Sequence, residues 1–325
     1  VKFEWAFISY DTIQVKQNIF MLDGVMEIEG KVVLITGATN GIGLAAAQEL
    51  ACRGAAVIGV GRNVERCQKI QAEIRSRSAN GRVELWVADL SSLKEVRLLA
   101  DRVRSRTDQL HVLINNAGAY FARREKSVDG FEKTFALNHL SPFLLTSLLL
   151  DLLQKSGTSN EPARIINVAS EAEKGGTLNE DVLLDRGKYR GFQAYASSKL
   201  CNIVFTYELT RRLEGANVVV NALHPGLVAT NFGMDNFQGV LKPFASLYRL
   251  LASRFGRSPE QGADTLVWLA SAPETAQFKG QYFYNRKPIR SIPDSYDPAA
   301  GRKLWELSKQ LTSLDSPESN SGEKT

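Results

Sequence analysis

The sequence predicts a single-domain, doubly wound α/β fold built on a mostly parallel, seven-stranded sheet. Three observations predict it: short continuous apolar runs of strand length recur along the chain, helix-length segments separate them, and a glycine-rich turn joins the first run to the first helix. The 325 residues are 44% hydrophobic and 23% charged, enough apolar surface for a large core. Length alone allows two domains, but an α/β sheet can hold them in one.

Residues 1–28 read as an N-terminal arm or the product of an early start, with Met21 and Met26 as alternative starts. Their apolar residues are interrupted by Lys2, Glu4, Asp11 and Lys16, so no run there is long enough for a signal peptide or a membrane span. From Val32 to Ile35 the chain is continuously apolar. It then passes through Thr36-Gly37-Ala38-Thr39-Asn40-Gly41-Ile42-Gly43 into a helical stretch, Leu44 to Arg53. Strand, glycine turn and helix in that order open a dinucleotide-binding unit of the Rossmann kind. Glycines let the backbone approach a pyrophosphate, and the helix N-terminus offers it unpaired N–H groups. Gly37, Thr39, Asn40, Gly41, Ile42 and Gly43 are the candidate contacts.

The second strand, Ala55 to Gly61, ends in Gly61-Arg62-Asn63, about twenty residues past the last glycine. There an acid would hold a ribose 2′-hydroxyl, whereas an arginine accepts a 2′-phosphate. Arg62 therefore points to NADP(H), with Asn40 as a second contact; the competing reading is that Arg62 caps a strand at the surface. Further strands run from Arg82 to Asp89 and from Leu110 to Asn115, with a helix from Ser92 to Thr107 between them. Asp89-Leu90 and Asn116-Ala117-Gly118 stand at strand ends, the edge where ligands of such sheets lie.

A long helix is expected from Phe131 to Lys155, carrying Asn138 in an apolar neighbourhood. A buried asparagine needs partners, within the core or through an ordered water. Arg164 to Ser170 is the fifth strand, and 171–192 a loop rich in Gly, Glu and Asp. Tyr195-Ala196-Ser197-Ser198-Lys199 follows in a helical run. Residues four apart share a helix face, so Tyr195 and Lys199 point into one space. A neighbouring ammonium favours the phenolate, which is how a tyrosine becomes a proton shuttle at neutral pH.

The sixth strand, Asn217 to His224, ends in His224-Pro225-Gly226, where His224 reads as structural. Gly280 to Tyr284 forms a last strand and Pro298 to Leu314 a C-terminal helix. The domain plan is an arm over 1–28, a catalytic domain over 29–290 with a substrate lid over 229–257, a helical extension over 291–314 and a disordered tail over 315–325. In the lid, Leu241, Phe244, Tyr248, Leu251 and Phe255 make one apolar helical stripe. It suits packing on its own domain; with Lys242, Arg249, Arg254 and Arg257 beside it, it also suits peripheral contact with an anionic membrane.

A net charge of +5 suits an anionic cofactor or an acidic surface, and no zinc-finger spacing or long basic block supports nucleic-acid binding. Cys52, Cys67 and Cys201 form no paired spacing and read as reduced, buried thiols of a cytoplasmic protein. No metal-ligand set is read.

The ordered set Thr36 to Gly43, Asp89, Asn115 to Gly118, Asn138, Ser170, Tyr195 with Lys199, and Pro225-Gly226 with Thr230 resembles the short-chain dehydrogenase/reductase family, over about Glu29 to Tyr284. The resemblance implies a catalytic tetrad of Asn138, Ser170, Tyr195 and Lys199. In it Tyr195 exchanges a proton with the substrate oxygen, Ser170 steadies that oxygen, and Lys199 bonds the nicotinamide ribose. Asn138 holds a water linking Lys199 to solvent, and Thr230 touches the nicotinamide carboxamide. The insertion from Ser170 to Tyr195, the run Ser198 to Asn202, His224-Pro225-Gly226 and the tail around Trp305 look like the retinol dehydrogenase-like branch. That branch interconverts lipophilic aldehydes and alcohols, usually with NADP(H), although its animal members carry an N-terminal membrane helix that 1–28 does not supply. The expected function is NADP(H)-dependent interconversion of a lipophilic carbonyl and its alcohol, by a protein for which a homo-oligomer is compatible. The alternatives are a non-catalytic NADP(H) sensor, or a reductase of a steroid, sugar, acyl-carrier or protochlorophyllide-type substrate.

Overall fold

In the computed structural model the described residues are 28–228 and 256–314. The whole apolar stripe and all of the lid but residues 256 and 257, together with 1–27 and 315–325, lie outside them.

The first apolar run forms β1 (Val32–Thr36), and its neighbours alternate between two cores: Leu34 belongs to one buried cluster, Val33 and Ile35 to the other. A strand buried on both faces needs no polar alternation, which is why the run reads as continuous. After α1 (Gly41–Cys52) come β2 (Ala56–Gly61), α2 (Val64–Ser78), β3 (Val83–Val87), α3 (Leu93–Arg106) and β4 (Val112–Asn115). Then follow α4 (Lys133–Ser156), β5 (Ala163–Val168), a short α5 (Glu180–Leu183), α6 (Gly191–Arg212), β6 (Val218–Leu223) and α7 (Pro259–Ser271). The hairpin β7 (Tyr282–Tyr284) and β8 (Lys287–Ile289) precedes α8 (Pro298–Thr312).

The sheet has eight strands, not seven, in the order β3-β2-β1-β4-β5-β6-β7-β8. All pairs are parallel except β7 with β8. The extra strand arises from a tight turn at Asn285 and Arg286, whose φ values of 51° and 59° match a two-residue hairpin turn that folds the chain straight back. Helices α1, α2 and α7 cover one face of the sheet, and α3, α4 and α6 the other, with α8 packed beyond α6 through Leu304. The chain winds outward from β1 to β3 and returns to place β4 beside β1. A crevice therefore opens at the carboxyl ends of β1 and β4, where the strand order reverses.

Three readings of the sequence need adjustment. The long helix begins at Lys133, and its first turns widen into a π-turn over Ala136–Leu140. Pro142 has no N–H to give to the Asn138 carbonyl four residues earlier, so an α-helical ladder cannot run through this point. Within 171–192, Ser170 starts a 3₁₀ turn over Glu171–Gly175, and α5 follows. Finally, Cys52 is exposed while Cys67 and Cys201 are buried, because Cys52 ends α1 on its outer side. Among the described residues α4 is the one helix long and apolar enough to cross a membrane, yet its Phe143, Leu144, Leu145 and Leu149 are wholly buried in the core.

Candidate active site

The glycine turn is stitched to the end of β4. Thr36 Oγ1 accepts from the Asn116 and Ala117 N–H groups, both at 3.0 Å, and donates to Ile114 O at 3.3 Å. Asn116 Nδ2 donates in turn to Thr36 O at 2.8 Å and Gly37 O at 3.2 Å. The Asn116 amide is thus committed to holding the loop. A Cβ on Gly43 would stand 2.3 Å from both Asn116 Nδ2 and Gly37 O, and Gly37 itself has φ +70°. Neither position accepts a side chain. The backbone is left bare at the N-terminus of α1, the form a pyrophosphate cradle requires.

Beside it, a Cβ on Gly61 would lie 2.5 Å from Thr39 Cγ2, so the Thr39 side chain rests on the end of β2. Arg66 Nε donates to Thr39 O at 2.9 Å, a contact the sequence reading did not include. Arg62 and Asn40 are exposed at the same edge, and among the described residues Arg62 makes no hydrogen bond or ion pair. Asp89 accepts from Ser91 N–H at 2.9 Å and Ser91 Oγ at 2.7 Å, closing its own turn. Leu90 is buried at the core boundary. The side chains of both are occupied locally, leaving their backbone at the crevice edge.

The four tetrad positions come from three elements: Asn138 from the π-turn of α4, Ser170 from the end of β5, and Tyr195 and Lys199 both from α6. Asn138, wholly buried in the π-turn, accepts from Ala119 N–H at 2.9 Å through Oδ1. Its Nδ2 donates to Ala119 O and to Ser198 Oγ, both at 3.0 Å, and Ser198 Oγ donates to Tyr195 O at 2.7 Å. Ser198 is therefore the strut between Asn138 and the tyrosine helix, a role its place in the sequence does not reveal. Lys199 Nζ donates to Val168 O at 2.9 Å. Burial without a carboxylate partner pushes its pKa down to about 8. Gly118 joins these groups: a Cβ there would sit 3.2 Å from both Asn138 Oδ1 and Lys199 Nζ.

Tyr195 is half-buried, its ring edge-to-face with Tyr120 at 6.0 Å and its centroid 5.8 Å from Lys199 Nζ. Ser170 Oγ accepts from Ala172 N–H at 3.2 Å, which leaves its own proton to donate. The insertion that follows is tied to α6 by Thr177 N–H donating to Ser197 Oγ at 3.0 Å. His224 stacks on Tyr284 at 4.4 Å, and its Nδ1 accepts from Gly226 N–H at 3.2 Å. Burial lowers its pKa, so it serves as a neutral brace for the Pro225-Gly226 turn, in keeping with a structural histidine. Thr230 lies outside the described residues.

The model of the short chain dehydrogenase family matches residues 31–240. Human (Homo sapiens) retinol dehydrogenase 14 is 40% identical over 301 residues, covering 88% of either chain. Human polyprenol dehydrogenase is 36% identical over 286 residues, covering 87% of this chain and 86% of its own. Among solved structures, the Pseudomonas aeruginosa RhlG/NADP active-site complex is similar with a TM-score of 0.62 and 28% identity, over 81% of this chain and 97% of that one. A family match over most of the chain, on a sheet whose crevice gathers these groups, makes this protein a member of the short-chain dehydrogenase family, oxidoreductases of alcohols and carbonyls.

Proposed function

We propose that the protein is an NADP(H)-dependent oxidoreductase that interconverts a lipophilic aldehyde or ketone and its alcohol, with Tyr195 as the proton donor and acceptor. The observation that carries this is the grouping of Asn138 and Lys199 around Gly118, one residue on from Ala117, which abuts the bare backbone of Gly37, with the Tyr195 ring 5.8 Å from Lys199 Nζ. NADP(H), when bound, supplies or takes up the hydride. Gly37, Thr39, Gly41, Ile42 and Gly43 would hold its pyrophosphate, and Arg62 with Asn40 its 2′-phosphate. Asn116 to Gly118, Pro225, Gly226 and Thr230 would line its nicotinamide half, and Asp89 and Leu90 its adenine side. Arg62, whose guanidinium has no partner among the described residues, and the absence of an acid at the end of β2 support the phosphate-bearing cofactor.

The Tyr195 hydroxyl gives its proton to the carbonyl oxygen during reduction and recovers it in oxidation. Ser170 keeps a proton for the same oxygen, because its bond with Ala172 is one it accepts, and it stabilises the charge that develops there. The Lys199 ammonium favours the phenolate and bonds the ribose, while Asn138 orders the water that reconnects Lys199 to solvent. Retinol and polyprenol, the alcohols in the names of two relatives, are both long apolar isoprenoids, which supports a greasy substrate. The same reading puts the protein in the cytoplasm, in peripheral contact with a membrane surface. Flotation with anionic liposomes at low salt checks that contact.

The test is NADPH consumption against retinal, medium-chain aldehydes, a steroid ketone and a sugar, with NADH in parallel. Turnover of the apolar aldehydes with NADPH preferred is the expected result. Preference for NADH overturns the role of Arg62. Tight NADPH binding with no turnover of any carbonyl turns the reading toward a sensor.

A further inference from the structure

Among the described titratable groups without a task in this chemistry, His139 is one of those wholly enclosed. It follows Asn138 in the π-turn and is 0% exposed, with Phe135 stacked on it at 5.2 Å and Phe205 meeting it edge-on at 6.2 Å. Its Nε2 lies 2.9 Å from Ser308 Oγ on α8. Ser308 is itself wholly buried and gives its hydroxyl proton to Leu304 O at 2.8 Å. A hydroxyl has one proton, so in its contact with the ring Ser308 accepts and Nε2 carries the hydrogen. Nδ1 then holds a lone pair. Among the described residues neither it nor Asn202 Oδ1 has a hydrogen-bond partner, and both are buried. The Asn202 amide oxygen favours a protonated ring, but burial outweighs it and pushes the pKa down to about 4. A half-turn of that amide presents N–H to the neutral Nδ1.

Three elements meet at this imidazole: the turn carrying Asn138, helix α6 through Asn202, three residues beyond Lys199, and the C-terminal helix α8. The family match ends at residue 240, so α8 lies beyond it. We propose that His139 is a positioning residue, a pivot through which α8 fixes the Asn138 turn in register with the Tyr195–Lys199 helix. The proposal rests on the reading of Asn138 as the keeper of the water behind Lys199. Trp305 of α8 supports the geometry, because its ring packs on Phe143 at 5.1 Å and Phe205 at 6.1 Å, closing the cage around the histidine. Ser308 touches no tetrad residue; its influence on chemistry has to pass through His139.

The experiment is a double-mutant cycle on kcat of alcohol oxidation, with Ser308→Ala and Asn138→Ala made singly and together in the full chain. Ser308→Ala is expected to lower kcat about 10-fold through misplacement of the turn, with KM for NADP within about twofold and a raised solvent isotope effect on kcat. In the Asn138→Ala background the same change should cost less than about twofold, because the group it positions is gone. An equal loss in both backgrounds, or no loss from Ser308→Ala alone, overturns the proposal while leaving the role of Asn138 standing. If Asn138→Ala itself leaves kcat unchanged, the reading of Asn138 and this proposal fall together. A readout free of variants and of turnover is the imidazole ¹⁵N spectrum, which contains only three histidines. His139 should appear as the Nε2–H tautomer, invariant between about pH 5.5 and 8. A ring that titrates in that range, or bears its proton on Nδ1, contradicts the proposal even if Ser308→Ala fails to fold.

Discussion

At the β1–β2 end of the crevice the surface offered to a ligand is backbone, whereas at the β4–β6 end it is buried side chain. Gly37, Gly41 and Gly43 make the first by having nothing to put there, and Thr36 and Asn116 hold the loop from behind. Asn138, Ser198, Lys199 and His139 make the second, each less than a tenth exposed and dependent on a partner from another element. The first is a shape that tolerates no added atom. The second is a set of desolvated groups whose charge is set by burial. The two regions should fail differently: one by steric intrusion, the other by loss of polar partners or by pH.

The largest expected effect belongs to Lys199→Met. Activity should fall by about 10²–10⁴-fold, while the cofactor-free protein becomes no less stable at neutral pH, because a buried ammonium is a cost to the fold. The sign follows from its pKa: about 8 in the fold against a higher unfolded value, so the unfolded chain holds the extra proton between them. Wild-type stability should therefore climb as pH rises from about 8 toward about 10.4, and the variant should lose that slope. Urea melts across that range read both. A variant that is markedly less stable at pH 7 would show that Lys199 is structural first.

Next comes acid. His139 is neutral in the fold with a pKa of about 4, so below its ordinary value the unfolded chain takes up a proton that the fold refuses. Stability should drop by about 3 kcal/mol as pH falls from about 6.5 to about 4. His139→Gln should flatten that part of the profile; an unchanged slope would assign the acid sensitivity elsewhere. Glu173, wholly buried with its pKa raised by desolvation, works in the opposite direction and favours the fold at low pH.

A smaller effect separates the cradle from ordinary glycine sites. Gly43→Ala should destabilise by about 1–3 kcal/mol through overpacking and weaken NADPH binding, since its Cβ would intrude on Asn116 and Gly37. Gly81→Ala, with nothing within 4 Å of its Cβ, should stay within about 0.5 kcal/mol. Calorimetry and NADPH fluorescence titration check the pair. Smallest is Arg62→Ala, expected to weaken NADPH about 10-fold, or about 1.4 kcal/mol, and to leave NADH unchanged.

The contrast also explains what could be read without a structure. Strands buried on both faces and glycines that must be bare leave signatures within a few neighbours, so β1 to β7 and the glycine turn were legible, and the four-residue spacing was enough to set Tyr195 and Lys199 on one helix. β8 was not, since Lys287-Pro288-Ile289 is too short and contains a proline, and only the left-handed pair before it turns the chain. Helix α2 buries only Cys67, Ile70 and Ile74 within a charged run, a stripe too thin to stand out. The Ser198 strut and the His139 pivot depend on elements 60 and 169 residues away in sequence, a distance at which residue type says nothing about partner. Pro142 was the readable trace of the π-turn.

The most direct test compares wild-type protein with Tyr195→Phe, measuring NADPH affinity and NADPH consumption with the apolar aldehydes side by side. Equal affinity with a loss of turnover of about 10²–10⁴-fold is the predicted result. Turnover by the variant close to that of the wild-type chain would contradict Tyr195 as the proton donor and, with it, the chemistry assigned to the crevice.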